Sequence, residues 1–272
     1  MGKFDGILIC TDLDGTLLKN DKSVSERNLE AIEYFKQNGG YFTIMTGRAP
    51  GAIFDYCETV KPNLPFGCNG GGGIYNYDAK KYEWIEALPR EVNELIRCID
   101  EELPDVAMEI NTDTEIMFYK DNSAMARLRY EEKLPCVTCD YNKIGKPLTK
   151  IVFAHEKEET ILKIAELLHN HPLSDKFSFM RTQYTLYEIL PKNANKEFAL
   201  GKLCELYNIK RKNTIGVGDY DNDVKMLEAA GVGIAVANAC ENAKNAADYI
   251  TVSNEEDAIA QIVSDIEKGK YL

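Results

Sequence analysis

The chain has 272 residues, 44% of them hydrophobic and 28% charged, with a formal net charge of -12. That length supports one large or two modest domains with a well-buried core. The acidic balance argues against general nucleic-acid binding, which wants a basic face, and it requires a local cation wherever an anionic substrate is to be held.

In chain order, Ile7-Cys10 is an apolar run of strand length. It ends in Asp12-Leu13-Asp14-Gly15-Thr16, two carboxylates two residues apart. Ligands of open α/β sheets gather at the carboxyl ends of strands. Where the strand ends, its side-to-side alternation lapses, and a turn permitted by Gly15 lets both carboxylates face one site. Asp, Gly and Thr are also ordinary turn residues. Ser23-Val-Ser-Glu26 is a capping-box pattern that opens a helix through about Gln37, which Gly39-Gly40 would stop. Tyr41-Met45 is the next strand, leading to Thr46-Gly47-Arg48. A helix over 50–60 precedes a short strand at Pro65-Cys68 and the run Asn69-Gly70-Gly71-Gly72-Gly73. This βαβαβ order implies a parallel sheet with helices on its faces.

Near Ile74 the texture changes. A hairpin around Asp78 is followed by helices over 90–102, 122–133 and 157–170. Strands near 106–110, 115–119, 149–154, 177–181 and 185–190 separate them. Paired strands between helices suit a smaller, mainly antiparallel α+β domain. The earlier rhythm then resumes: helix 195–207, strand 214–218, helix 221–229, strand 232–236, a short helix at 241–246, a strand at 249–252 and a terminal helix. One α/β domain, residues 1–83 and 190–272, is therefore expected to be interrupted by an insertion over residues 84–189.

A second acidic cluster, Gly218-Asp219-Tyr220-Asp221-Asn222-Asp223, follows the strand at 214–217. If both strands lie parallel in one sheet, Asp12, Asp14 and Asp219 converge on one edge. Carboxylates at that density repel one another unless protonated or bridged by a cation. Mg²⁺ suits them, since it takes few carboxylates and leaves positions for water and phosphate oxygens. An acidic helix N-terminus is the simpler reading of 219–223 alone. A calcium loop would need Gly and Glu at offsets that are missing.

Asp12-Leu-Asp-Gly-Thr16, Thr46-Gly-Arg48, Lys196 and Gly218-Asp219-x-x-Asn222-Asp223 together resemble the four ordered motifs of the haloacid dehalogenase superfamily. The resemblance is closest to its Cof-type phosphatases, and Asn69-Gly70, Glu188-Ile-Leu-Pro191, Met226-Leu227 and Asn238-Ala239 add to it. It implies a Rossmann-like parallel-sheet core with an inserted α/β cap, and Mg²⁺-dependent hydrolysis of a small phosphorylated metabolite, a sugar phosphate foremost. Asp12 would be the nucleophile of an aspartyl-phosphate mechanism and Asp14 the general acid and base. Asp12, Asp219 and the backbone carbonyl of Asp14 would hold the metal, with Asp223 orienting a metal-bound water. Thr46, Lys196 and the amides of Leu13 and Gly47 would contact the phosphate, with Asn222 near the substrate. Arg48 is read as bracing its loop and Asn69 as shaping the neighbouring one. Family members often carry Gly after the motif lysine where this chain has Glu197, and Lys192 and Lys202 are the nearest substitutes for Lys196.

A phosphosugar mutase would use the same Asp12 chemistry but return the phosphoryl group to sugar. A catalytically inactive, phosphate-binding regulatory protein would have lost a motif residue, and all are present. In the insertion, Arg127, His155, His171, Arg181 and Tyr184 are polar candidates for choosing the leaving group. The eight cysteines fit a reduced protein; Cys136-Val-Thr-Cys139 has metal spacing, but no second pair completes a zinc site. No apolar stretch approaches membrane-spanning length, and the opening residues lack the long apolar segment of a secretory signal. A cytoplasmic protein without a membrane partner is expected; oligomeric state is not legible.

Overall fold

A computed structural model describes residues 2–271. In chain order the first elements are β1 (Leu8–Thr11), α1 (Glu26–Gln37), β2 (Tyr41–Ile44), α2 (Phe54–Val60), β3 (Phe66–Cys68), β4 (Gly73–Asn76) and β5 (Lys81–Ile85). The middle of the chain supplies α3 (Val92–Glu102), β6 (Ala107–Thr112), β7 (Ile116–Tyr119), α4 (Ser123–Glu131), β8 (Leu148–Ala154), α5 (Glu158–Asn170), β9 (Phe177–Gln183) and β10 (Leu186–Pro191). The remainder is α6 (Lys196–Tyr207), β11 (Thr214–Gly218), α7 (Val224–Ala229), β12 (Val232–Ala235), α8 (Glu241–Ala246), β13 (Tyr249–Ile250) and α9 (Ala258–Glu267).

The chain divides into two compact units. One comprises Met1–Arg48, Phe54–Trp84 and Asn195–Leu272, the other Ala49–Ile53 and Ile85–Ala194. The first unit is built on a parallel sheet in the order β13-β12-β11-β1-β2. Its central strands are buried on both faces and therefore read as unbroken apolar runs. Leu8 and Cys10 of β1 pack against Ala199, Leu200 and Leu203 of α6 and Met226 of α7. That contact fixes α6 to the centre of the sheet. Truncating Leu203 to Ala would cost about 2–5 kcal/mol and loosen the helix.

The second unit is an antiparallel sheet in the order β7-β6-β8-β10-β9. One face packs Met108, Ile110, Ile151, Phe153 and Ile189 against the apolar stripes of α3 and α5. The other face receives Met125 and Leu128 of α4. The expected α/β core with a separate α+β insertion is thus the observed architecture.

Local differences have local causes. The capping box expected at Ser23 does not form. Ser23 bonds through its amide and hydroxyl to Asp21 Oδ1 instead, at 2.9 and 2.6 Å. Ser25 caps α1 two residues later by accepting from the Asn28 amide at 3.1 Å. The helix expected over 50–60 is a tighter turn at Pro50–Ile53 followed by α2.

Candidate active site

The site is made where three adjacent parallel strands end. Thr11 of β1 is in register with Val217 of β11 on one side and Ile44 of β2 on the other. Past the last rungs, the Asp12 amide donates to Val217 O at 2.8 Å and the Met45 amide to Thr11 O at 2.8 Å. Asp12, Thr46 and Asp219 therefore leave the same edge of the sheet. Behind Asp12 the chain turns through Gly15, whose φ of 78° lies in the left-handed region. A Cβ there would stand 2.5 Å from Asp219 Oδ2, so the position requires glycine for its dihedral and for its close approach. Thr16, next in the turn, donates its hydroxyl to Asp219 Oδ1 at 2.9 Å. Asn238 Nδ2 holds the Gly15 carbonyl at 2.8 Å.

Lys196 joins the motifs. Asn195 caps α6 by accepting from the Phe198 amide at 2.9 Å, which presents Lys196 as the first helical residue. The Nζ of Lys196 lies 2.5 Å from both Asp12 Oδ1 and Asp223 Oδ1. All three residues are buried, Lys196 and Asp223 almost completely. Asp223 Oδ2 accepts from the amides of Asp219 and Tyr220 at 3.0 and 3.1 Å. Glu197 points elsewhere, 3.7 Å from Arg211, and Lys202 pairs with Glu205.

Burial disfavours the Lys196 cation, but the charges of Asp12 and Asp223 outweigh it, so its pKa rises and the ammonium persists. Burial pushes the Asp12 carboxyl well above the ordinary range; Lys196 opposes this, and Asp223 and Asp219 add to it. Asp219 is pushed up to about 6, chiefly by burial and then by Asp223. Asp12, Asp219 and Asp223 offer oxygen atoms within 4.8 Å of one another, the one such ligand grouping among the described residues. Three carboxylates face one ammonium, leaving two uncompensated negative charges. An all-oxygen set with that excess fits a divalent cation of the Mg²⁺ type.

Asp14 points its side chain at different partners. Arg48 grips it bidentately, Nε to Oδ2 at 2.7 Å and Nη2 to Oδ1 at 2.9 Å. Lys22 adds a contact to Oδ1 at 2.8 Å. Burial raises the Asp14 carboxyl, but Arg48 and then Lys22 more than offset that and hold it below the usual carboxylate range. Thr46 is buried, and its hydroxyl accepts from the Arg48 amide at 3.2 Å. A Cβ on Gly47 would meet nothing within 4 Å; this glycine borders open space. Leu13 is buried on the Asp12 turn, and Asn222 is half-buried between Asp221 and Asp223.

Sequence reasoning missed three contacts: Arg48 to Asp14, Lys22 to Asp14 and Thr16 to Asp219. Arg48 and Thr16 belong to recognised motifs, so the signal was present; Lys22 carries none. Asn69 is buried with positive φ, its amide nitrogen bonded to Tyr82 at 3.1 Å. Its loop packs on α6, since a Cβ on Gly71 would lie 2.0 Å from Asn195 O. In the second unit, Arg127 pairs with Glu156 and Arg181 with Glu158 and the Tyr184 ring. His155 and His171 each accept an amide two residues ahead through Nδ1. All eight cysteines are free thiols.

Known proteins are similar to this chain along most of its length. The profile of the haloacid dehalogenase-like hydrolases matches residues 9–263. The 5-amino-6-(5-phospho-D-ribitylamino)uracil phosphatase YitU of Bacillus subtilis is 30% identical over 264 residues, covering 95% of this chain and 96% of that protein. The pyridoxal phosphate phosphatase YbhA of Escherichia coli is 26% identical, over 94% of this chain and 97% of its own length. A haloacid dehalogenase-like hydrolase from Bacteroides thetaiotaomicron superposes with a TM-score of 0.86 at 26% identity, over 96% of this chain and 99% of that one. Matched along nearly its whole length, the chain belongs to the haloacid dehalogenase-like hydrolases.

Proposed function

We propose that this hydrolase is a Mg²⁺-dependent phosphatase of small phosphorylated metabolites, acting through an aspartyl-phosphate on Asp12. The observation that carries the reading is the buried Lys196 ammonium, 2.5 Å from both Asp12 and Asp223 with Asp219 beside them. An ammonium so placed can steady the Asp12 carboxylate and meet an incoming phosphoryl group. The phosphatase names of the relatives support the reaction class.

Bound Mg²⁺ would be held by the side chains of Asp12 and Asp219 and the backbone carbonyl of Asp14, screening Asp12 from the charge of the phosphate. A carboxylate oxygen of Asp12 attacks phosphorus, and the bond from phosphorus to the ester oxygen breaks. Asp14 gives the departing oxygen its proton. Water then attacks the same phosphorus, Asp14 takes the proton from that water, and inorganic phosphate leaves with Asp12 restored. Splitting one displacement into two easier ones is the gain of the covalent step. Lys196, the Thr46 hydroxyl and the amides of Leu13 and Gly47 donate to the phosphoryl oxygens, where charge shifts during transfer. The open space beside Gly47 favours such an approach to the backbone. Asn222 borders the substrate, and Asp223 orients a water through its fixed carboxylate.

Held by Arg48, Asp14 is the ionised form, ready to take a proton. Its acid role requires that ion pair to open. Residues 1–83 and 190–272 are assigned to the hydrolase core and 84–189 to the cap that selects the leaving group. Among the described residues no helix is long and apolar enough to cross a membrane.

The test is phosphate release from a panel of sugar phosphates, phosphorylated cofactors and flavin precursors, ranked by kcat/KM. Turnover that needs Mg²⁺ and vanishes in Asp12→Asn supports the reading. Release of phosphate that ignores both would refute it.

A further inference from the structure

The antiparallel sheet of the second unit has two edges, and the chain covers one of them. At the first edge, the Phe118 amide of β7 donates to Val137 O at 2.8 Å and the Cys139 amide donates to Phe118 O at 2.9 Å, so a loop pairs with the strand. At the other edge, β9 pairs with β10 alone among the described residues. Native proteins blunt such an edge with lysine, proline, a bulge or a very short strand. β9 is seven residues long and holds neither lysine nor proline. Its irregularity falls at Thr182, beyond the regular run Phe177–Arg181 that pairs with Pro191 to Tyr187. Residues 178–182 are half-buried. The one charge on the strand, Arg181, is turned onto α5, where it pairs with Glu158 at 2.9 Å.

The helix beside this edge adds an apolar spot. Glu158 and His169 of α5 both reach β9, the first through Arg181 and the second with its ring centre 5.0 Å from that of Phe179. Residues 158, 162, 165 and 169 share one side of a helix. Leu162 therefore stands on the side of α5 that carries these contacts, and it is 54% exposed. β9 is also complementary to itself. Run antiparallel about Phe179, the centre of its regular run, it sets Phe179 opposite Phe179, Ser178 opposite Met180 and Phe177 opposite Arg181. Aromatic pairs and an arginine against an aromatic ring are favourable cross-strand neighbours, and no like charges meet. We propose that a second copy of the chain docks on this edge, β9 pairing antiparallel with β9 across a twofold axis at Phe179. Five strands from each copy then form one continuous sheet, and the two α5 helices come side by side on one face of it, covering Leu162. Such a contact uses the same patch on both copies, so it closes at two. An unrelated extended peptide would gain the main-chain bonds, but the side-chain match belongs to β9 itself.

The experiment is sedimentation equilibrium of the full chain across about 1–100 µM. Wild type is expected to associate into a dimer within that range, and the mass of one chain throughout would overturn the proposal. Ser178→Lys combined with Met180→Lys places lysine opposite lysine twice and should weaken association about tenfold. Ser178→Glu combined with Met180→Lys places glutamate opposite lysine twice in the same register, and should return association to wild-type strength or better. That recovery depends on residue 178 of one copy meeting residue 180 of the other, which general damage to the strand cannot mimic. Leu162→Lys, an exposed substitution away from the strand, should weaken association about threefold by removing an apolar contact. A dimer equally strong in the paired-lysine and Leu162→Lys proteins uses another surface and overturns the assignment. So does a charge swap that melts as wild type does yet fails to recover the dimer. If the charge swap melts early, Leu162→Lys decides alone, and an unweakened dimer there rejects the edge.

Discussion

Replacing Lys196 by Met deletes one buried ammonium and keeps the stem that fills its place. Two carboxylates, Asp12 and Asp223, each lose a partner at 2.5 Å, and Asp219 gains no compensation. Removing one member of a buried pair typically costs about 3–5 kcal/mol, because the remaining charge stays buried. At about 2–4 °C per kcal/mol for a chain of this size, the melting point should fall by about 6–20 °C. Phosphate release should fall about 10²–10³-fold through loss of one donor to the transferring group. Thermal melting by circular dichroism, followed across pH, adds a sign. In the variant Asp12, raised by burial, loses the cation that opposed the rise, so its folded-state pKa stays above the unfolded one and the folded protein binds more protons. The destabilisation should therefore be smallest below about pH 4 and grow as pH rises through the carboxylate range. A variant melting within about 2 °C of wild type at pH 7 would refute the buried clamp.

Arg48→Gln should raise the Asp14 carboxyl toward its ordinary range and shift the alkaline limb of the pH–rate profile upward, since the acid form then persists to higher pH. The ion pair stabilises above the unfolded carboxylate pKa and is lost as pH falls through the depressed folded value, so the two melting points should converge in acid. Asp219, raised to about 6, works in the opposite sense: its contribution to metal-free stability is full below the ordinary carboxylate pKa and lost as pH rises through 6. Mg²⁺ should accordingly raise the melting point more at pH 7.5 than at pH 5, and an equal or larger rise at pH 5 would count against the site. Gly15→Ala should cost about 1–2 kcal/mol for its left-handed dihedral in denaturant titrations, besides displacing Asp219. Gly47→Ala, which meets open space, should leave stability alone and raise KM; an equal loss of stability in both would refute the contrast.

The succession of elements along the chain and the motif loops were legible because both are local signals. Apolar runs of strand length alternate with helical stretches, and acidic or Thr-Gly turns follow directly on strands β1, β2 and β11. What brought them together was the parallel register, which topology rules supply. The choice of Ser25 over Ser23 as the cap of α1 was not legible, because both are good caps and the decision rests on Asp21 capturing Ser23. Nor was the Arg48 grip on Asp14, which depends on two loops of different strands. The polar face of Glu109, Asn111, Lys150 and Glu188 is further from reach. Each residue is an unremarkable member of its own strand, and only the pairing of β6, β8 and β10 makes a cluster of them. Of the polar candidates drawn from the insertion, Arg127 pairs with Glu156, Arg181 with Glu158, and the two histidines accept backbone amides.

The covalent role of Asp12 is open to one direct measurement. Rapid acid quench of the enzyme during turnover, followed by reduction and peptide mass mapping, reads whether a phosphoryl group has passed through a side chain, and which one. The account predicts a modified Asp12 in the peptide spanning β1 and its turn, absent from Asp12→Asn, which should also lose turnover. An unmodified Asp12 together with substantial turnover by Asp12→Asn would contradict it.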